Sequence, residues 1–241
     1  MLIKKFQKFV KLFLSIFLAF FTFSCAKNWS YQGKNAAQNW GSLSEEFKFC
    51  KIGYNQSPID VKYGFEKNEL KFFYQDSEVE TLDKNYVRQI FFDNRDFVLR
   101  GKKKYFLRHL EFHHPSEHLV NSSQHSLEMQ IYHKSEDEQL LVLAIFLEVG
   151  EENSAFNSII KTLSKLENLP KINLAKIVKT DDKIFFYDGS LTTPPCVEGV
   201  KWYIMKTPLK ISKEQMNQII KLAIFSKSNA RIIQEFHPEK Y

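Results

Sequence analysis

Glycine, proline and cysteine are all scarce in this sequence, with 8, 7 and 3 residues respectively among 241. The sequence also has no internal repeat and no low-complexity stretch of the kind that links two domains. Hydrophobic residues make up 44% of the chain and 23 residues are Phe, a composition that excludes an intrinsically disordered protein. These features predict one folded domain of about 215 residues after a short leader.

Long apolar runs are also scarce, and the prominent one covers residues 12–23, interrupted only by Ser15 and Thr22. Four lysines precede this run and Ser24-Cys25 follows it. The run is short for a membrane span, and its end at a small residue before cysteine resembles a bacterial lipoprotein cleavage site. We therefore expect residues 1–25 to be a lipoprotein-type signal peptide and residues 26–241 to be a single exported domain.

A lipid on Cys25 would hold this domain on the periplasmic or cell-surface side of a bacterial membrane. Thr22 stands where lipoprotein signals more often have Leu. An uncleaved anchor and a plain secretory signal therefore stay open as alternatives, and both also predict export.

No sign of charge dominates the predicted domain. The formal net charge of the chain is +6, and removing the four leader lysines leaves about +2. This balance gives no indication of a nucleic-acid partner.

The small number of cysteines limits their roles. If Cys25 carries lipid, Cys50 and Cys196 remain as a pair that an oxidising exterior would join in a disulfide. Two buried free thiols are the alternative.

Hydrophobic periodicity predicts a mostly β domain with a minority of helix. We expect strands at residues 86–92, 97–100, 104–113 and 126–133, and a strand buried on both faces at the sheet centre, residues 139–149. Helical spacing predicts a helix over residues 156–166, and a capping box at Ser212 opens a second helix that extends to about Ile224.

Histidine is concentrated in one place, because six of the seven histidines lie between His109 and His133. Alternation along the first strand of this segment places one set of side chains on a single face: Leu107, His109, Glu111 and His113. Leu110 and Phe112 would face the core, and Arg108 does not fit the pattern. The next strand would add Glu128, Gln130 and Tyr132, so that two paired strands present a polar patch.

Several segments of the sequence resemble the α-class carbonic anhydrases, and the resemblance covers nearly all of the predicted domain. They are Trp29-Ser30-Tyr31 with Trp40, Gln56-Ser57-Pro58-Ile59-Asp60, Phe112-His113-His114-Pro115-Ser116-Glu117-His118, Leu143-Ala144-Ile145-Phe146-Leu147, Gly189-Ser190-Leu191-Thr192-Thr193-Pro194-Pro195-Cys196 with Val200-Lys201-Trp202, and Asn229-Ala230-Arg231 with Gln234. Each motif is weak alone, but together they are highly specific.

The resemblance implies a large, twisted, mostly antiparallel sheet with short surface helices and a central conical cleft. It also implies Zn²⁺ held by three histidines, with a zinc-bound hydroxide that attacks CO₂ to give bicarbonate. Cis peptide bonds at Ser57-Pro58 and Pro194-Pro195 are a further expectation of the resemblance.

The zinc ligands of the family are only partly retained. The three ligand positions fall on Glu111, His113 and Gln130, so one histidine of three remains. An amide oxygen is a poor zinc ligand, and an anionic Glu111 would raise the pKa of zinc-bound water. A metal-free site is the alternative, in which Glu111 accepts a hydrogen bond from Gln130 or His109, or stays protonated.

Residues around the ligand positions match the family more closely. Thr192 with Glu117 match the pair that orients zinc-bound water, and Glu128 matches the carboxylate that orients the third histidine. His109 replaces a glutamine that supports the first ligand, and Arg95 falls near the position of the proton-shuttle histidine. The substrate pocket is expected to be lined by Tyr132, Val142, Leu191, Thr193, Val200 and Trp202. The other histidines are expected to be structural or exposed.

Two functions are compatible with these residues. The ligand changes favour an exported binding or scaffold module with little or no CO₂ hydration, whose partner could be a surface polysaccharide or a protein. The alternative is a working carbonic anhydrase with an altered metal shell of Glu111, His113 and Gln130. An esterase with a side-chain nucleophile is poorly supported, because no Ser-His-acid spacing is present. On the binding-module reading, changing Glu111 and Gln130 to His should restore tight zinc binding.

Overall fold

The computed structural model describes residues 29–237, except residues 63, 65, 166 and 167. The predicted leader and Cys25 lie outside the described residues. Within the part of the chain that is described, no helix is long and apolar enough to cross a membrane.

Strands dominate the described residues, as the sequence predicted, and they form two sheets. The strands are β1 (Asp60–Val61), β2 (Glu66–Lys67), β3 (Lys71–Phe73), β4 (Val79–Lys84), β5 (Val87–Phe92), β6 (Phe97–Arg100), β7 (Lys103–His113), β8 (Leu119–Val120), β9 (Ser123–Gln124), β10 (Leu127–Lys134), β11 (Leu140–Val149), β12 (Lys183–Ser190), β13 (Glu198–Met205) and β14 (Leu209–Ile211). The predicted strand boundaries are confirmed to within one or two residues.

The larger sheet has eleven strands and a central β11. Its main path runs in the order β2-β12-β13-β11-β10-β7-β5-β4, with β14 beside β11 and with β6 and β3 beyond β7. Its strand pairs are antiparallel except β11–β13 and β11–β14. The smaller sheet has the order β1-β8-β9. The expected large, mostly antiparallel sheet is therefore confirmed.

Helices are short and few among the described residues. They are α1 (Trp40–Leu43), α2 (Phe49–Ile52), α3 (Asn157–Leu163) and α4 (Lys213–Ala223), with 3-10 turns at Gly33–Asn35, Ala37–Asn39, Glu45–Phe47, Ser154–Phe156 and Leu174–Lys176. Helix α4 begins with the predicted capping box, in which the Ser212 hydroxyl accepts from the Gln215 amide and the Gln215 side chain accepts from the Ser212 amide. Such a box satisfies two of the amide groups that a helix start leaves without partners.

Strand β11 separates two apolar cores, which explains its nearly continuous hydrophobic sequence. Leu141, Leu143 and Ile145 belong to the larger core, which also contains the buried faces of α3 and α4. Val142 and Ala144 belong to a second cluster on the opposite face. The predicted ligand position Gln130 lies on the same side of the sheet as this second cluster, because it shares a face of β10 with Tyr132, a member of the cluster.

The chain before β1 packs as the sequence predicted, with its aromatic residues against the body of the domain. Trp29, Tyr31, Trp40 and Tyr86 form a cluster of rings 5.1–5.5 Å apart. Edge-to-face contacts at such distances contribute about 0.5–1.5 kcal/mol per pair beyond burial.

A disulfide ties the segment before β1 to the loop before β13. Cys50 and Cys196 are bonded with a Cα–Cα distance of 5.0 Å, so the expected pairing is confirmed and the free-thiol alternative is wrong.

The peptide bonds before Pro58 and Pro195 are cis, as expected, and the bond before Pro115 is cis as well.

One part of the strand prediction is wrong. Leu107 is fully buried in the larger core with Leu110 and Phe112, not on the face of Glu111. The reason is a β-bulge: Tyr132 pairs with His109 but His133 pairs with Leu107, so Arg108 has no partner on β10. The extra residue reverses the alternation of side chains on β7, which also explains why Arg108 did not fit the pattern.

Candidate metal and substrate site

The candidate site is a set of three residue pairs across strands β7 and β10. Antiparallel pairing places His109 opposite Tyr132, Glu111 opposite Gln130, and His113 opposite Glu128. Because alternate residues share a face, all six side chains lie on one side of the sheet. The structure therefore brings together the three predicted ligand positions.

Glu111 at the centre of this set is 5% exposed and has two hydrogen-bond donors. Gln89 Nε2 donates to its Oε2 at 2.5 Å, and His113 Nε2 lies 3.3 Å from its Oε1. Burial alone would raise the pKa of Glu111, but the hydrogen bond and charge of His113 outweigh burial and lower this pKa to about 2. Glu111 is therefore ionised. The prediction that Gln130 or His109 donates to Glu111 is wrong. Gln130 donates to other carboxylates, and His109 Nε2 is 3.8 Å from Glu111 Oε2.

His113 is held from both ring nitrogens. Nδ1 lies 2.7 Å from the carbonyl oxygen of Asn229, to which it donates, and Nε2 faces Glu111. Burial lowers the pKa of His113, but the carboxylates of Glu117 and Glu111 outweigh burial and raise it to about 10. Nε2 of His113 would therefore have to lose its proton before it could bind a metal.

Gln130 has all its polar atoms engaged. Its Nε2 donates to Glu117 Oε2 and to Glu128 Oε1, each at 2.9 Å, and its Oε1 accepts from the Tyr132 hydroxyl at 2.8 Å. Only the amide nitrogen can donate to two carboxylates, so the orientation of the amide is fixed.

Glu128 is the most completely satisfied carboxylate of the site. It accepts from the backbone amides of Glu117 and His118 and from His118 Nδ1, in addition to Gln130. Burial opposes ionisation, but the charge of His118 and its hydrogen bonds lower the pKa of Glu128 to about 2. The carboxylate occupies the place expected of it, and it orients an amide instead of an imidazole.

The predicted orienting pair is present but is differently bonded. Glu117 accepts from Gln130 Nε2 and from the backbone amide of Arg231, at 2.9 Å each. Burial raises the pKa of Glu117, and the nearby charge of Glu128 adds to this effect. Thr192 lies beside Glu117, and its buried hydroxyl has no hydrogen-bond partner of good geometry among the described residues.

Most of the residues expected to line the substrate pocket lie close together in the structure. Tyr132, Val142, Val200 and Trp202 belong to one buried cluster, against which Leu191 packs. Thr193 lies in the neighbouring turn, where its carbonyl oxygen accepts from the Cys196 amide.

Two other predicted site residues stand at the edge of the site or away from it. The ring of His109 stacks between Phe91 and Tyr132, and burial lowers its pKa. Arg95 is exposed and donates two hydrogen bonds to Asp93 in the turn after β5. A guanidinium held in this way stays charged and cannot carry protons near neutral pH.

Sequence reasoning missed two partners of the site, Gln89 and the Asn229 carbonyl. On the neighbouring strands β5 and β7, Phe91 pairs with His109. Gln89 lies two residues from Phe91 and Glu111 lies two residues from His109, so the two side chains meet. A single buried amide in the apolar sequence of β5 could have indicated this contact. The Asn229 carbonyl could not have been found, since a backbone atom leaves no trace in the residue pattern.

These residues do not fit a zinc ion. The donor set is one carboxylate, one amide oxygen and one imidazole, and each of their atoms that would face a metal is in a hydrogen bond. Among the described residues no group of three or more His, Cys, Asp or Glu side chains is placed to hold a metal.

Known proteins support the same family as the sequence motifs. The model of the eukaryotic-type carbonic anhydrase family matches residues 35–239. A carbonic anhydrase of Klebsiella pneumoniae is 32% identical over 200 residues, covering 79% of this chain and 81% of the relative. One from Nostoc is 30% identical over 220 residues, covering 86% and 82%. The α-carbonic anhydrase from Thermovibrio ammonificans, solved with the inhibitor sulfanilamide, superposes with a TM-score of 0.76 at 30% identity, covering 88% of this chain and 97% of that one.

The chain therefore belongs to the eukaryotic-type, or α-class, carbonic anhydrase family. Proteins of this family act on CO₂ and bicarbonate and are in general zinc-dependent.

Proposed function

We propose that this protein is a non-catalytic α-class carbonic anhydrase, an exported binding or scaffold module in which internal hydrogen bonds replace the zinc ion. One observation carries the proposal. The three side chains at the ligand positions bond to protein groups through the atoms that would bind metal: Gln130 Oε1 to Tyr132, Glu111 Oε2 to Gln89, and His113 Nε2 to Glu111.

The chemistry of these residues supports the proposal further. Zinc binds imidazole and thiolate strongly, whereas a neutral amide oxygen is a weak ligand. Binding would also require His113 to release a proton and its contact with Glu111 to open. Any zinc that did bind beside Glu111 would be partly neutralised, so its water would be a weaker acid.

Export to an oxidising compartment is part of the proposal. The disulfide between Cys50 and Cys196 supports it, because such bonds persist mainly outside the cytosol. The predicted lipid on Cys25 would then keep the domain at a membrane face. There it would meet a surface polysaccharide or a protein partner.

Zinc content and CO₂ hydration test the proposal. We expect the purified protein to retain far less than one zinc per chain after it has been exposed to zinc by dialysis and the unbound zinc has been removed. We also expect stopped-flow hydration of CO₂ close to the uncatalysed rate. The Klebsiella relative provides the positive control for both measurements. Tight stoichiometric zinc with substantial turnover would instead establish a working enzyme with Glu111, His113 and Gln130 as its metal shell.

A further inference from the structure

Tyr132 is held rigidly in the site by its neighbours across the sheet. Its ring stacks on His109 with centroids 4.4 Å apart and planes 10° apart, and His109 in turn stacks on Phe91 at 5.2 Å. Only 6% of Tyr132 is exposed. A buried ring between such neighbours has little freedom to swing away.

The hydroxyl of Tyr132 lies between two of the three ligand positions. It donates to Gln130 Oε1 at 2.8 Å, and this oxygen faces Tyr132 because Glu117 and Glu128 fix the amide nitrogen on the other side. Glu111 lies opposite Gln130 on strand β7 and on the same face as Tyr132, so its carboxylate borders the same space. An ion shared by positions 111 and 130 would need this same space.

We infer that the Tyr132 side chain fills the metal position, so that Tyr132 excludes metal from this site independently of the lost histidines. The inference rests on the proposed absence of zinc and extends it to a residue outside the ligand positions. Zinc binds nitrogen or oxygen at about 2.0–2.2 Å. Gln130 Oε1 already has the Tyr132 oxygen 2.8 Å away on the side where the ion would bind, so no room is left for the ion.

The structure thus adds a third requirement to the restoration of the site predicted from sequence. A histidine at position 130 would inherit the contact to Glu128, because that carboxylate already accepts from the side chain at 130. Its second nitrogen would then point toward the Tyr132 hydroxyl. Two new imidazoles without a change at 132 would still face a filled position.

Calorimetric zinc titration of four full-length proteins tests the inference. They are the unmodified protein, the double variant Glu111→His/Gln130→His, the triple variant with Tyr132→Val added, and Tyr132→Val alone. In the double variant zinc must displace one hydrogen bond and one ring stack of Tyr132. The triple variant should therefore bind one zinc about 10- to 100-fold more tightly than the double variant, which corresponds to about 1.4–2.8 kcal/mol. Tyr132→Val alone should gain no tight site, because the ligands are still missing.

Each result has a distinct meaning. Equal zinc affinity in the double and triple variants would overturn the role of Tyr132 and leave the proposed function standing. Tight zinc in the unmodified protein would overturn the proposed function itself. Thermal unfolding of each variant shows whether it is folded. If the Val triple variant is not, Tyr132→Leu in the same background retains more volume, and its affinity is judged by the same comparison.

Discussion

At the scale of single residues, the site differs from a three-histidine zinc centre in the side chains at the ligand positions. Gln130 donates to Glu128, and His113 donates to the Asn229 carbonyl. What has changed is the atom that faces the centre. The same framework therefore holds a network of protons and carboxylates.

The charge of Glu111 is a structural necessity in this network. Removing it by Glu111→Ala leaves His113 buried with only Glu117 nearby, Nδ1 to Oε2 at 3.5 Å. Because Glu117 still balances part of the charge of His113, we expect the free energy of unfolding to fall by about 3 kcal/mol, the lower end for a broken buried pair. Urea denaturation measures it. Glu138→Ala, which removes an exposed partner of Lys134, is the control and should cost below about 1 kcal/mol. A loss at position 111 no larger than the control's would show that the pair is not needed.

At the scale of elements, the bulge at Arg108 decides which side chains meet. It allows β7 to place Tyr105 and Leu107 in the larger core at one end and still place Glu111 and His113 on the site face at the other. If Arg108 were not an extra residue, the part of β7 on one side of position 108 would turn its apolar side chains out of the core. The bulge also brings Leu107 opposite His133.

His133 on β10 is consequently buried as a neutral imidazole. Nδ1 donates to the Leu141 carbonyl at 3.3 Å and Nε2 accepts from the Tyr74 hydroxyl at 2.8 Å. Burial lowers the pKa of His133 from 6.5 to about 3. Between these values the unfolded chain binds the proton and the folded chain does not, so this histidine destabilises the fold as pH falls below 6.5.

The expected contribution of His133 is a loss of about 2 kcal/mol in the free energy of unfolding between pH 8 and pH 5. Comparing urea denaturation of the unmodified protein with His133→Gln at both pH values isolates it. Glutamine can still donate and accept hydrogen bonds but does not titrate. An identical pH dependence in the two proteins would contradict a neutral, buried His133.

At the scale of the whole molecule, a disulfide and a sheet of eleven strands hold the described part of the domain together. The fold buries two apolar cores, one on either face of β11. On the proposed function, this frame would support a binding module.

The proposed attachment to the membrane would depend on Cys25, which lies outside the described residues. We expect Cys25→Ser to move the protein from the membrane fraction to the soluble fraction, because the substituted residue cannot carry the lipid. Ser24→Ala keeps a small residue before the cysteine and should leave the protein membrane-bound. Fractionation and immunoblotting measure both. Retention of the Cys25→Ser protein in the membrane would indicate an uncleaved anchor.

Much of the fold follows from the sequence alone. The alternation of Leu127, Met129 and Ile131, the apolar run of β11 and the capping box at Ser212 each specify a local structure through short-range periodicity. The α-class motifs specify the topology, and the identities of Glu111, His113 and Gln130 specify a donor set unsuited to zinc.

Only the tertiary structure decided how those side chains are satisfied. The bulge at Arg108 depends on pairing between strands that local periodicity does not record. The donors to Glu111 come from β5 and from the same face of β7, and the carbonyl that holds His113 belongs to residue 229. Whether Tyr132 lines a pocket or fills the metal position depends on the direction of one hydroxyl. Packing across three strands fixes that direction, because a buried polar group takes the nearest partner that the fold supplies.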